Sequence, residues 1–163
     1  SSGTKEIIEG SEIAKHFKAI FGCEFYFDPQ TKLPVWPKLA INYTAKTQFY
    51  FRITKGILDV SEDNALNRKL VDHRIPHRNI IYIGDGITDV PVMLLVKQNG
   101  GHSIAVYPKG EREKVEYLYT DGRVNFVARA DYTEKSDINS IVRLIIDQVS
   151  IAEQIEKKKQ LLN

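Results

Sequence analysis

The stretch Asn79-Ile80-Ile81-Tyr82-Ile83-Gly84-Asp85-Gly86-Ile87-Thr88-Asp89-Val90-Pro91-Val92-Met93 decides the fold class. Ile80 to Ile83 is a continuous apolar run, which predicts a strand buried on both faces of a parallel sheet. Gly84-Asp85-Gly86 ends that strand, and Asp89 to Gln98 reads as the helix that follows. The strand delivers Asp85 to its carboxyl end, the edge where open α/β sheets bind ligands. Gly84 and Gly86 are read as letting the backbone turn sharply and approach a ligand closely. Asp89, four residues from Asp85, falls on the first turn of the helix, so two carboxylates converge on one edge. Side by side they repel, and a hard metal ion or a lysine ammonium resolves the repulsion. The alternative is purely structural: Asp85 shapes a turn and Asp89 caps a helix.

Outward from this stretch the chain keeps alternating. Ser103 to Tyr107 and Val124 to Ala128 read as strands, Glu111 to Tyr119 as a helix, and Ser136 onward as a long amphipathic terminal helix. Strands alternating with helices predict an α/β layer fold with a mainly parallel sheet flanked by helices. Upstream, Ile7, Ile8, Ile13, Ala14, Phe17, Ile20 and Phe21 recur at helical spacing but break near Gly10-Ser11, giving one broken helix or two, with Ser11 as a cap. Residues 23–43 read as a small β-hairpin inserted in the domain, turning at Asp28-Pro29-Gln30-Thr31-Lys32, with Pro34 and Pro37 making its second arm irregular. Thr44 caps a helix from Ala45 to Lys55 that faces Phe49, Ile53 and Tyr50 inward and stops at Gly56. A short helix is expected around Ala65 to Val71. The whole of 1–163 reads as one core domain.

The 163 residues are 42% hydrophobic and 27% charged, an ordinary globular balance. Lys and Arg total 23 against 21 Asp and Glu, so a net charge of +2 gives no electrostatic reason to expect nucleic acid or an anionic membrane. The longest apolar stretch, Val90 to Val96, is far short of the roughly 18 residues of a membrane span. Cys23 is the single cysteine, which excludes an intrachain disulfide and a cysteine zinc cluster and fits a reducing, cytoplasmic setting.

Gly84-Asp85-Gly86-Ile87-Thr88-Asp89 after an apolar strand resembles the fourth motif of the haloacid-dehalogenase-like superfamily, and the order of elements resembles its phosphoserine-phosphatase-like branch. The resemblance implies a Rossmann-like core and a Mg²⁺-dependent phosphatase that works through an aspartyl-phosphate on a small phosphorylated metabolite. It implies Asp85 as a Mg²⁺ ligand, and Asp89 as the residue that holds a metal-bound water or orients the lysine. Ser1-Ser2-Gly3 before a helix is similar to the second motif, in which Ser1 binds the phosphoryl group and Ser2 and Gly3 offer backbone N–H groups; a cloning scar is the alternative. The third motif is a lysine. Ile41-Asn42-Tyr43-Thr44-Ala45-Lys46-Thr47 resembles its pattern at a helix start and selects Lys46; Lys55, about 13 Å along the same helix, is the alternative.

The first family motif, Asp-x-Asp after a buried strand, is absent from this sequence, and with it the nucleophile and general acid. The chain opens without an initiator methionine. It is therefore read as the C-terminal portion of a larger enzyme, lacking the first strand and the cap, and inactive alone. Two rivals stand beside this reading. One is a non-catalytic binding or scaffold domain of the same ancestry. The other is the phosphorylation domain of a P-type pump, against which count the missing Asp-Lys-Thr-Gly-Thr segment and membrane helices. His73 and His77, four apart, are separated by Pro76 and read as surface residues, and His16 and His102 as structural. Trp36, Tyr26, Phe27 and Tyr43 are expected to pack the hairpin. Lys109, after the strand ending at Tyr107, is a candidate contact for an anionic substrate. The helix from Ser136 offers a face to a partner if the domain leaves part of it uncovered.

Overall fold

The computed structural model describes residues 1–69 and 74–162. The chain forms two compact units, Ser1–Arg74 and Ile75–Asn163, within what the sequence reads as one domain.

In the first unit, α1 (Lys5–Glu9) is followed by a single 3-10 turn at Ala14–His16. The helical periodicity before Phe21 thus yields two short pieces. Ser11 caps neither, because its hydroxyl donates to the Ile8 carbonyl at 2.6 Å. The opening segment lies alongside Cys23 instead: Lys5 N–H donates to Cys23 O at 3.0 Å and Cys23 N–H to Gly3 O at 2.9 Å. A hairpin of β1 (Glu24–Phe27) and β2 (Pro34–Leu39) follows, antiparallel and twice slipped in register. Pro34 and Pro37 lie in its second strand, where neither can donate to the ladder. Its loop is held by Asp28, whose carboxylate accepts from the N–H groups of Gln30 and Thr31 at 2.9 and 2.6 Å. The expectation that aromatics pack the hairpin fails: Tyr26 and Trp36 are cross-strand partners yet 56% and 69% exposed, and Phe27 and Tyr43 are exposed too. Aromatic composition favours a strand, but nothing in it says whether a second layer covers that strand.

The helix α2 (Tyr43–Lys55) starts from Asn42, two residues earlier than Thr44 predicts, and ends at Gly56 in the left-handed region, φ 72°. Phe49 and Tyr50 are buried, Ile53 is half-buried, and Phe49 meets Phe21 with ring centroids 4.8 Å apart. Burial pushes the Tyr50 hydroxyl up to about 12. Arg52, 1% exposed, holds the following loop: its guanidinium donates to the carbonyls of Asp59 and Val60 at 2.9 and 3.2 Å and pairs with Asp63. Then α3 spans Asp63–Asn67; the part of the expected helix at Val71 lies outside the described residues.

The second unit is the α/β layer fold that the sequence predicts. Strands β3 (Ile81–Gly84), β4 (His102–Tyr107) and β5 (Phe126–Arg129) form a parallel sheet in that order. Helices α4 (Val90–Gln98) and α5 (Glu113–Thr120) cover one face, where Met93, Val115 and Leu118 pack on Ala105 and Val124. The long helix α6 (Asp137–Gln160) covers the other, where Ile138 and Ile145 pack on Ile104, Val106 and Ala128. The sheet alternates because successive strand residues point to opposite faces. Ser103 and Asn125 join the strand starts: Asn125 Oδ1 accepts from Ser103 N–H and Oγ at 2.9 and 3.0 Å. One expectation is corrected. The strand β3 is not buried on both faces, since it is an edge of the described sheet and Ile83 is 42% exposed; the fully covered strand is β4. Among the described residues no helix is long and apolar enough to cross a membrane.

Candidate functional site

The end of β3 is built around one carboxylate. Asp89 is buried, and its Oδ2 accepts from the Gly86 N–H at 3.2 Å while its own N–H donates to the Gly86 carbonyl at 2.9 Å. Its Oδ1 accepts from the Tyr82 hydroxyl at 2.5 Å. Burial, this hydrogen bond and the Asp89 charge all push the Tyr82 hydroxyl well above its ordinary range, so it stays a donor. The turn Ile87–Asp89 is thereby closed before α4 begins, with Pro91 in its first turn, where a missing N–H costs nothing.

The two glycines serve a different purpose from the sharp turn that the sequence suggests. Gly86 is extended, φ −123° and ψ 158°, and Gly84 is not left-handed either. Gly84 is needed for space: a Cβ there would lie 2.7 Å from both Asp89 Cγ and Met93 Cε. The close approach is to the protein's own helix, and it fixes Asp89 under the strand.

Asp85 then projects at the carboxyl end of the strand, exposed, and among the described residues its carboxylate accepts no hydrogen bond. It borders two openings. A cavity of about 280 Å³ lies over the carboxyl ends of the strands, between Ile83, Asp85, Tyr107, Pro108 and Tyr132. A second, of about 420 Å³, lies between the Asp85 loop, α4 and α5, with Lys114 and Tyr117 at its rim. Lys114 is ion-paired with Glu111 at 2.9 Å.

A hard cation can be weighed against these donors. Mg²⁺ keeps several waters and is usually bound through one or two carboxylates together with substrate phosphate. An exposed, uncommitted Asp85 beside an anchored Asp89 fits that kind of site. It does not fit an all-protein cage, because among the described residues no group of three or more His, Cys, Asp or Glu side chains is placed to hold a metal.

The remaining candidates, Ser1, Ser2, Gly3 and Lys46, belong to the first unit, while Asp85 and Asp89 belong to the second. The Gly3 N–H donates to Ser1 Oγ at 3.0 Å, and the Cys23 thiol donates to the Ser2 carbonyl at 3.3 Å. The helix that follows, α1, has five residues. The notion of Gly3 as an N–H donor to an anion is thus answered locally, by the Ser1 hydroxyl. Lys46 is 9% exposed on the first turn of α2. Lys55, at the other end, donates its ammonium to the carbonyls of Leu66 and Arg68 at 2.5 and 3.0 Å and so ties α2 to the end of α3.

His77 sits in a 3-10 turn, and burial lowers the His102 imidazole below its ordinary value; His73 lies outside the described residues. Lys109 is exposed in the turn after β4. Sequence reasoning missed Tyr82. The sign available was a hydroxyl-bearing ring in an otherwise aliphatic strand, which needs a partner once buried.

No known family model matches the chain, and no solved structure matches it. Among curated proteins it is similar to one from Borreliella burgdorferi, named only as an uncharacterized protein, with 29% identity over 150 residues. That alignment takes in 82% of this chain and 51% of the other, so the chain spans about half the length of the curated relative it matches.

Proposed function

We propose that the chain is part of a haloacid-dehalogenase-like phosphohydrolase that cleaves phosphoric monoesters of small metabolites with Mg²⁺, in a cytoplasmic setting. The observation that carries this reading is the pair at the end of β3: Asp85 exposed at the carboxyl edge of a parallel sheet, and Asp89 buried four residues later, anchored by Tyr82 and Gly86. Bound there, Mg²⁺ would supply positive charge against the phosphoryl oxygens, where phosphoryl transfer most needs it. Asp85 is the residue that would hold it. Asp89 keeps the loop in one conformation, so that Asp85 is presented without reorganisation. Lys46, on the first turn of α2, is the family's lysine in this reading, while Lys55 at the far end of that helix serves to tie it to the Leu66 and Arg68 carbonyls.

The attacking aspartate and the proton donor have no counterpart in this sequence. Two facts accord with their lying elsewhere in a longer polypeptide: the similar Borreliella protein is about twice the length spanned, and β3 is an edge strand of the described sheet. The second reading, a non-catalytic binding domain, is favoured by the way Asp89 is committed to joining strand and turn.

The experiment is calorimetric Mg²⁺ titration of the chain and of Asp85→Asn, alongside hydrolysis of an aryl phosphate. Weak Mg²⁺ binding lost in Asp85→Asn, without turnover, is expected; Lys55→Met should leave it intact while lowering stability. Absence of any Asp85-dependent binding favours the non-catalytic domain. Turnover that survives purification and disappears in Asp85→Ala would put the nucleophile within these residues and overturn the reading of a partial enzyme.

A further inference from the structure

The helix α6 carries two apolar rows, and its own domain covers one. Ile138, Ile141, Val142, Ile145 and Val149 face the sheet. About a third of a turn away around the axis lie Leu144, Ile151 and Ile155, and Leu162 follows just beyond the end of the helix at Gln160. They are 67%, 58%, 50% and 87% exposed. Single exposed leucines are ordinary, but three large aliphatic side chains in line along about 17 Å of helix, with a fourth just past its end, are not. Their spacings, seven, four and seven, keep to one seam of a helix pair. The Glu153 side chain, off this row, is held by Arg78 and Asn79 at 2.8 and 3.0 Å, which fixes the helix on its own unit with the second row outward.

We propose that this row is the contact of a homodimer in which two copies of α6 lie antiparallel about a two-fold axis beside Glu153. The order seven, four, seven reads the same in both directions. Reversal therefore sets Ile151 against Ile155 of the second copy and Leu144 against Leu162, as a self-complementary two-fold contact requires. Charge selects the direction. A parallel pair superposes Lys157, Lys158 and Lys159 on themselves, whereas the antiparallel pair carries the two lysine runs to opposite ends and sets Lys158 opposite Gln148. The seam with its flanks covers roughly 1,000 Å² over both copies, the lower bound for a specific interface, so the dimer should dissociate on dilution.

The test is sedimentation equilibrium of the 163-residue chain over a concentration series, with Leu144→Lys and Ile151→Lys as exposed-site variants. A dimer at high concentration that both variants abolish, with melting unchanged under dilute conditions, is expected. Direction is read in a Cys23→Ser background: mixed Ile151→Cys and Ile155→Cys proteins should form the unlike disulfide on mild oxidation, and Ile151→Cys alone should not cross-link. A monomer at every concentration, a dimer that survives Ile151→Lys, or self-cross-linking of Ile151→Cys would each overturn the proposal.

Discussion

Tyr82, in the middle of β3, donates its hydroxyl hydrogen to Asp89, the residue before α4, so a single buried carboxylate joins the strand to the turn that follows it. Tyr82→Phe keeps the ring and removes one donor to a buried charge. It should lower stability by about 1–3 kcal/mol, read as a shift in the urea midpoint. An unshifted midpoint would mean that Asp89 is held without the Tyr82 hydroxyl.

Gly84 and Gly86 should respond differently to the same substitution. Gly84→Ala puts a methyl 2.7 Å from Asp89 and Met93 side-chain atoms and should cost about 1–3 kcal/mol. Gly86→Ala meets its nearest atom, Asp89 Oδ2, at 3.4 Å in an extended backbone, and should stay within about 0.5 kcal/mol of the native chain. Thermal melts of the two proteins decide it; equal losses would show that turn conformation, and not space, sets the need for glycine.

His102 gives the fold a pH dependence of defined sign. Burial lowers its folded pKa below 6.5, outweighing a hydrogen bond to the Arg78 backbone that raises it. The unfolded chain therefore binds the proton more readily, so stability is fully present above pH 6.5 and is lost as pH falls from there through the folded value. An NMR titration of the imidazole should report a pKa under 6.5. His102→Gln should flatten the stability profile in that window, and a profile unchanged by the substitution would assign the slope to other groups.

Ser136 caps α6. Its Oγ accepts from the Asn139 N–H at 3.2 Å, while its hydroxyl donates to the Thr133 carbonyl at 2.8 Å. Ser136→Ala should cost about 1 kcal/mol and speed hydrogen exchange at Asn139 ahead of the middle of the helix. Exchange unchanged at Asn139 would show that the cap bond is not formed in solution.

The sequence by itself determined the α/β alternation of the second unit, the left-handed stop at Gly56, the long terminal helix beginning at Ser136, and the delivery of Asp85 to a strand end. Each is written in local periodicity or in the backbone preference of one residue, which act over a few positions of chain. Tertiary structure alone decided that Gly84 is a matter of space, that Lys55 is bound to backbone carbonyls, and that the hairpin aromatics and the second row of α6 stay exposed. Those outcomes depend on which surfaces meet across the fold, and hydrophobic patterning states only that an apolar face exists, not what covers it.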